Sequence, residues 1–390
     1  MSEMQQNPTA DNMSLKASRW FALDALRGLI IVFMALDHAN HFIAHKHSPG
    51  EYWGGAFPVY YDSLAFITRL VTHVSAPGFF FLMGAGMLLF AVSRRKQGWS
   101  EWAIVRHFWI RGAVLIALQF LVENRAWELS PGGWGIGLYV GVLFALGGTM
   151  ILGSLLLRLR PAYLLGLSAA LFVGTELLVP DLSAWGPIEL ANPLDVVNPF
   201  WIHPGGIPAI GLWSNYPILH WLELVTFGMV FGHWVANDPQ KAFRRALQLG
   251  GAFLVAFVVI RLLDGFGNIR PRLGNDWIDF LNVVKYPPSM TFTLLTMGVN
   301  LILLWLFARA RDSWQQFLQP LAVFGQAPLF FYVLHLFLYA GMGYLLTPAG
   351  TSIPAMYPYW LLGLIILFPL TLWYGVFKRR QPATSILRFL

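Results

Sequence analysis

The chain contains no cysteine and little charge. The first absence excludes disulfides and thiolate chemistry, and it leaves the compartment open. The second excludes a soluble fold. Of 390 residues only 12% are charged and 57% are hydrophobic, with a mean hydropathy of +0.58. A soluble domain of this length needs a charged surface that this composition does not supply, so the chain reads as an integral membrane protein. Acidic residues are scarcer than basic ones, 19 against 26, giving a net charge of +7. In a soluble chain that excess would point to nucleic acid. Here the basic residues cluster in short connections and report topology, so no nucleic-acid partner is expected. Internal repeats and low-complexity tracts are missing. So is an apolar stretch followed by a small-residue cleavage site, and no removable signal peptide is expected. Aromatics, by contrast, are plentiful at 16%, with 17 Trp. They suit interfacial belts and cavities that are part polar and part apolar.

Ten apolar segments are long enough to cross a bilayer. They cover residues 18–43, 63–92, 102–122, 134–157, 162–179, 213–235, 243–263, 289–308, 320–346 and 356–377. Basic clusters follow every second crossing: Lys16 and Arg19, Arg94 to Lys96, Arg158 and Arg160, Lys241 to Arg245, Arg309 and Arg311, and Lys378 to Arg380. The expected fold class is therefore all-α, a polytopic membrane bundle of about ten helices with both termini cytoplasmic. Residues 1–17 are expected as a disordered polar tail, 18–380 as a single transmembrane domain and 381–390 as a short cytoplasmic tail. Two outer loops, 180–215 and 264–289, mix Pro, Gly, Trp, Asn and Asp. Such loops either lie on the bilayer as a lid or meet an acceptor, and their aromatics would suit a sugar ring. The glycines of "MGAG" and "GIGLYVG" sit inside apolar spans and read as helix–helix packing.

The first span holds the main anomaly, "RGLIIVFMALDHANH", Arg27 to His41. A helix turns about 100° per residue, so eleven steps return His38 to the azimuth of Arg27, roughly 16 Å along the axis. Asp24, Arg27, Met34, His38 and His41 share one stripe, with Asp37 at its flank. Lipid would not tolerate that stripe, so it faces the bundle interior or a wet cavity. Asp24 and Arg27, three residues apart, read as an internal ion pair. His38 is either a satisfied interior histidine or a base, with Asp37 placed to orient it. His38, His41 and His45 have a spacing that a metal could use. No cysteine or carboxylate complement marks such a site, so no metal is expected. His73, His220 and His335 are further polar residues within apolar spans.

The residues now carry a resemblance. "LDALRGLIIVFMALDH" is similar to the first-helix signature of membrane acyltransferases, in which an Arg, ten residues and a His form the working motif. "THVSAPGFFFLMGAGMLL", "SNYPILHWLELVTFGMVFG", "VKYPPSMTFTLLTMG" and "FGQAPLFFYVLHLFLY" resemble segments of the heparan-alpha-glucosaminide N-acetyltransferase family in its bacterial form. The resemblance implies an enzyme in the bacterial inner membrane. It would move an acyl group, acetyl above all, from cytoplasmic acetyl-CoA or another acyl-CoA to a hydroxyl or amine of an extracytoplasmic, sugar-like acceptor. It implies that Arg27 holds the donor or polarises the thioester, that His38 serves as base or acyl carrier, and that Asp37 assists. In animal members an Asn stands at the position of His38 and the catalytic His comes later in the outer loop, which brings in His47 here, with His45 as the alternative. Asp24, Asn40, His41, His73, Lys285, Tyr286 and His335 are expected around the substrates. Membrane lipids are the other expected partners, and a homodimer is one assembly open to the chain. Two rival classes stay open: a proton- or metal-coupled transporter using the Asp24–Arg27–His stripe, and a lipid-binding protein without chemistry.

Overall fold

The computed structural model describes residues 10–48, 51, 57–60, 62–133, 135–179, 193–382 and 385. The described residues form an all-α bundle with one small sheet. Helix α1 spans Ala10–Ala39 and continues as a π-turn over Asn40–Ala44. Then come α2 (Ser63–Thr72), α3 (Ser75–Lys96), α4 (Glu101–Leu118), α5 (Asn124–Glu128), α6 (Val142–Leu156) and α7 (Pro161–Leu178). The second half holds α8 (Pro193–Trp201), α9 (Ile218–Asn237), α10 (Pro239–Leu263), α11 (Trp277–Leu281), α12 (Met290–Ala308), α13 (Asp312–Gln326), α14 (Pro328–Leu346) and α15 (Ile353–Arg380). Because α1 begins at Ala10, residues 10–17 of the expected tail are helical; residues 1–9 lie outside the described residues, as does most of 381–390.

Among the described residues eight helical stretches are long and apolar enough to cross a membrane, and Val142–Leu156 is a shorter apolar helix. Helix α1 is not among the eight; it carries Asp24, Arg27 and Asp37 along its apolar length. Local chemistry explains the ends. Asp62, Ser100, Asp238, Ser289 and Ser352 each accept a backbone N–H in the first turn of the helix that follows, which satisfies donors with no intrahelical partner. Prolines explain two breaks that hydropathy does not register. Pro77 lacks an N–H and its ring would strike the carbonyl of His73, four residues back, so the second span divides at His73–Val74 into α2 and α3. Pro328 keeps Ala327 out of helical geometry (φ −131°, ψ 58°) and divides the ninth span into α13 and α14.

Two expected spans begin later than hydropathy implies. Residues 138–140 and 212–214 are strands, not helix. "GIGLYVG" therefore supplies β1 (Leu138–Val140) instead of a helix contact. Glycines on both sides and the β-favouring Tyr139 and Val140 explain the switch. Strand β3 (Leu212–Ser214) pairs in parallel with β1 and antiparallel with β2 (Gly205–Ile207). Part of the long loop before α9 is thus ordered sheet; residues 180–192 of that loop lie outside the described residues.

Glycines set the closest helix contacts. Gly84 and Gly228 join α3 to α9, Gly112 and Gly147 join α4 to α6, and Gly250 and Gly298 join α10 to α12. In each pair an added methyl would collide with the facing backbone or side chain, so the small residue is what permits the approach. Gly28 and Gly325 do the same for α1 and α13: a methyl at Gly325 would strike the carbonyl oxygen of Asp24. Further along, His38 meets His335 and Phe42 meets Gly343. These contacts rise in the same order on both sides, so α13 and α14 together run parallel to α1. Helix α1 is central, packed against α2, α3, α12, α13, α14 and α15. That arrangement places its polar stripe inside the bundle.

Candidate active site

The stripe faces a cavity of about 390 Å³. One end is lined by Arg27, Arg111, Gln326 and Lys378, next to the basic termini of α3 and α15. The middle is apolar, with Met34, Phe79, Met83, Leu146 and Leu329. The other end presents Asp37, His38, Thr72, Tyr216, Lys285 and Tyr332. A passage with cations at one end, an apolar waist and acid–base groups at the other thus runs along α1.

At the basic end Arg27 donates to Asp24 at 2.8 Å and to the Gly325 carbonyl at 3.1 Å. Both side chains are partly exposed, so the pair holds α1 to α13 more than it adds stability. Arg94 lies over the rings of Phe90 and Trp99, and Arg95 is paired with Glu101 at 2.7 Å.

The opposite end is organised by Arg69, which is 2% exposed. Its guanidinium bridges two carboxylates. It bonds Asp37 on α1 and takes both oxygens of Glu51, Nε lying 2.7 Å from Oε1. Thr72 donates to Asp37 at 3.0 Å, His47 Nε2 lies 3.4 Å from the other Asp37 oxygen, and His73 Nε2 lies 3.1 Å from Glu51. The backbone carbonyl of Glu51 accepts from Lys285 N at 3.2 Å and Tyr286 N at 3.1 Å. One buried cation therefore ties α1 and α2 to Glu51 in the connection between them, and the Glu51 backbone carries the link on to the loop before α12. Burial alone would raise the Glu51 carboxyl, but Arg69 and then His73 hold it well below the usual carboxylate range. Lys285 is brought down to about 8 by burial and by the nearby Arg69 charge, with Asp37 and Glu51 pulling the other way. Burial pushes the Tyr286 phenol up to about 12.

The expected site residues fall into groups. Arg27, Asp37, His38 and Lys285 line the cavity. His335 sits behind His38, Nε2 to Nδ1 2.6 Å, with the two rings nearly coplanar and meeting edge to edge. His47 sits behind Asp37, and its ring is 5.8 Å from that of His41. His41 meets Ser130 at 3.0 Å and the edge of Trp127. Asn40 is buried in the π-turn, where its carbonyl accepts from Lys46. His73 turns toward Glu51 and Phe292, away from the cavity lining. Tyr286 meets the Tyr216 hydroxyl at 3.4 Å. Asp24 stays with Arg27 at the basic end.

Sequence reasoning missed Arg69, Glu51, Arg111 and Glu123. Arg69 had a signal, a lone arginine in the apolar run "LAFITRLVTH", and intramembrane cations have partners worth seeking. Glu51 had none, since a loop carboxylate reads as solvated. Glu123 is buried and accepts from Trp127 Nε1 at 3.1 Å, beside the wall that carries His38.

Residues 19–261 match the family model for the catalytic region of heparan-alpha-glucosaminide N-acetyltransferase. The chain belongs to that family. A comparison with curated proteins finds no match. The matched region runs from α1 into α10 and includes Arg27, Asp37, His38, His47, Glu51 and Arg69; Lys285, Tyr286 and His335 lie beyond it. Family membership, together with the apolar helices, makes this acetyltransferase relative an integral membrane transferase.

Removing the central cation leaves two buried carboxylates facing each other. Arg69→Met is expected to cost about 3–5 kcal/mol, and Arg69→Lys less, because charge survives while the bidentate geometry is lost. Thermal unfolding in detergent tests this; Arg69→Met unfolding at the wild-type temperature would contradict the clamp.

Proposed function

We propose that the chain transfers an acyl group, in the first place acetyl, from acyl-CoA on the cytoplasmic side to a hydroxyl or amine of an extracytoplasmic acceptor. The observation that carries this reading is the cavity, which extends along α1 from Arg27 and Lys378 to His38 and Lys285. Arg27 and His38 are eleven residues apart, roughly 16 Å on a helix, a length that suits one acyl-pantetheine arm. The excess of Lys and Arg at the Arg27 end supports its assignment to the cytoplasm. Family membership favours group transfer over transport.

In this reading Arg27, Arg111 and Lys378 hold the anionic donor, and the apolar waist keeps water from the thioester. His38 takes the proton of the acceptor as its oxygen or nitrogen attacks the thioester carbonyl. The C–S bond breaks, and His38 returns the proton to the departing thiolate, so the protein ends unchanged. Lys285 offsets the negative charge that develops on the carbonyl oxygen. Tyr216 and Tyr332 give the acceptor end the aromatic faces that a sugar ring would use. His38 is preferred to His47 because His38 lines the cavity, whereas His47 is turned to Asp37, which also bonds Arg69 and Thr72.

Transfer of labelled acetyl from acetyl-CoA by proteoliposomes tests the assignment. His38→Ala should lose on the order of 10²-fold or more in kcat, and His47→Ala should retain most of it. Loss confined to His47→Ala would reverse the roles. Lys285 adds a pH test. Held at about 8, it is charged below that pH and neutral above it, so the rate should fall as pH rises through about 8. Lys285→Arg should move that limb beyond the accessible range, because a guanidinium stays charged. An unaltered limb in Lys285→Arg would exclude Lys285 as its source.

A further inference from the structure

His335 is fully buried on α14, and the transfer scheme above does not use it. Its two ring nitrogens have different partners. Nδ1 lies 3.1 Å from the carbonyl oxygen of Phe331, and Nε2 lies 2.6 Å from Nδ1 of His38. A carbonyl only accepts, so Nδ1 of His335 carries a proton. Among the described residues no carboxylate is paired with either ring; Asp37, next to His38 in sequence, is taken by Arg69, Thr72 and His47. An unpaired imidazolium in this wall would carry a large desolvation cost. His335 is therefore neutral, and its Nε2 holds a lone pair. That lone pair faces Nδ1 of His38, which must then be the donor. A neutral His38 has one ring proton, so its Nε2 is bare.

We propose that His335 is a positioning residue that fixes the tautomer of His38, keeping Nε2 as the unprotonated atom that takes the proton of the acceptor. The inference rests on the reading of His38 as the base. Order passes from the backbone carbonyl of Phe331 to His335 and from His335 to His38. A carboxylate plays the same part for a triad histidine, but here the orienting group is neutral, so no second charge is buried. The geometry is held by packing. His335 stacks on Phe331 with ring centres 5.3 Å apart, and Tyr339 closes its other side at 6.2 Å. His38 in turn meets the edge of Trp127 at 5.4 Å.

The test reads the tautomer itself. Protein labelled with ¹⁵N-histidine is reconstituted in liposomes and measured by long-range ¹H–¹⁵N solid-state NMR, and His38 is assigned by the signals lost in His38→Gln. Wild type should carry the His38 proton on Nδ1. His335→Leu should move it to Nε2 or leave a mixture, and kcat for acetyl transfer should fall about 10²-fold while KM for acetyl-CoA stays within about twofold. His335→Gln, whose amide oxygen can accept from Nδ1, should keep the tautomer and restore most of kcat. A wild-type His38 protonated on Nε2 overturns the inference, as does an unchanged tautomer in His335→Leu. Should His335→Leu fail to fold, the wild-type and His335→Gln spectra decide. The spectra need no turnover: the expected tautomer in a protein that transfers no acetyl would overturn the acyl-transfer reading separately.

Discussion

A charged stripe on an apolar helix cannot face lipid, and this constraint on α1 governs much of the structure. Asp24, Arg27, Asp37 and His38 must turn inward, so α1 must be central. A central α1 needs neighbours close enough to seal it, and Gly28 against Gly325 supplies that approach on one side. The same inward stripe borders a cavity within the packed bundle, with cations at one end and Asp37, His38 and Lys285 at the other.

The two ends keep their charge in different ways. At the basic end Arg27 and Asp24 stay partly exposed, so solvent screens their pairing. At the far end Arg69 is buried between two carboxylates, and with Lys285 charged, below about pH 8, the formal charges of Asp37, Glu51, Arg69 and Lys285 sum to zero. A balanced cluster is costly to break and suited to fixing geometry. It contacts Asp37, with His47 on the far oxygen, while His38 meets a separate partner in His335. The division follows from who touches whom: among the described residues His38 has no carboxylate as a hydrogen-bond partner, and Asp37 has three polar neighbours of its own.

Much of this was legible in the sequence, for identifiable reasons. The stripe followed from helical spacing alone, because a 3.6-residue period leaves no choice of face. Apolar length located the spans but not their breaks, which depend on Pro77 and Pro328 acting on the carbonyl or backbone before them. It also carried the fourth and sixth spans too far, since Tyr139, Val140 and Trp213 are as apolar in a strand as in a helix. Glu51 could not be read, because its partner Arg69 is eighteen residues away across a loop with no period. The pairing of His38 with His335 joins the two ends of the chain, and spacing carries no information over that distance.

The central claim is that the cavity along α1 holds an acyl thioester stretched between Arg27 and His38. A structure with a non-transferable thioether analogue of acetyl-CoA tests it most directly. The account predicts the nucleotide at the Arg27, Arg111 and Lys378 end, the pantetheine arm along Met34 and Leu146, and the acyl carbonyl beside Nε2 of His38. An analogue bound away from this cavity, or one whose carbonyl lies beside His47 with His38 remote from it, would contradict it.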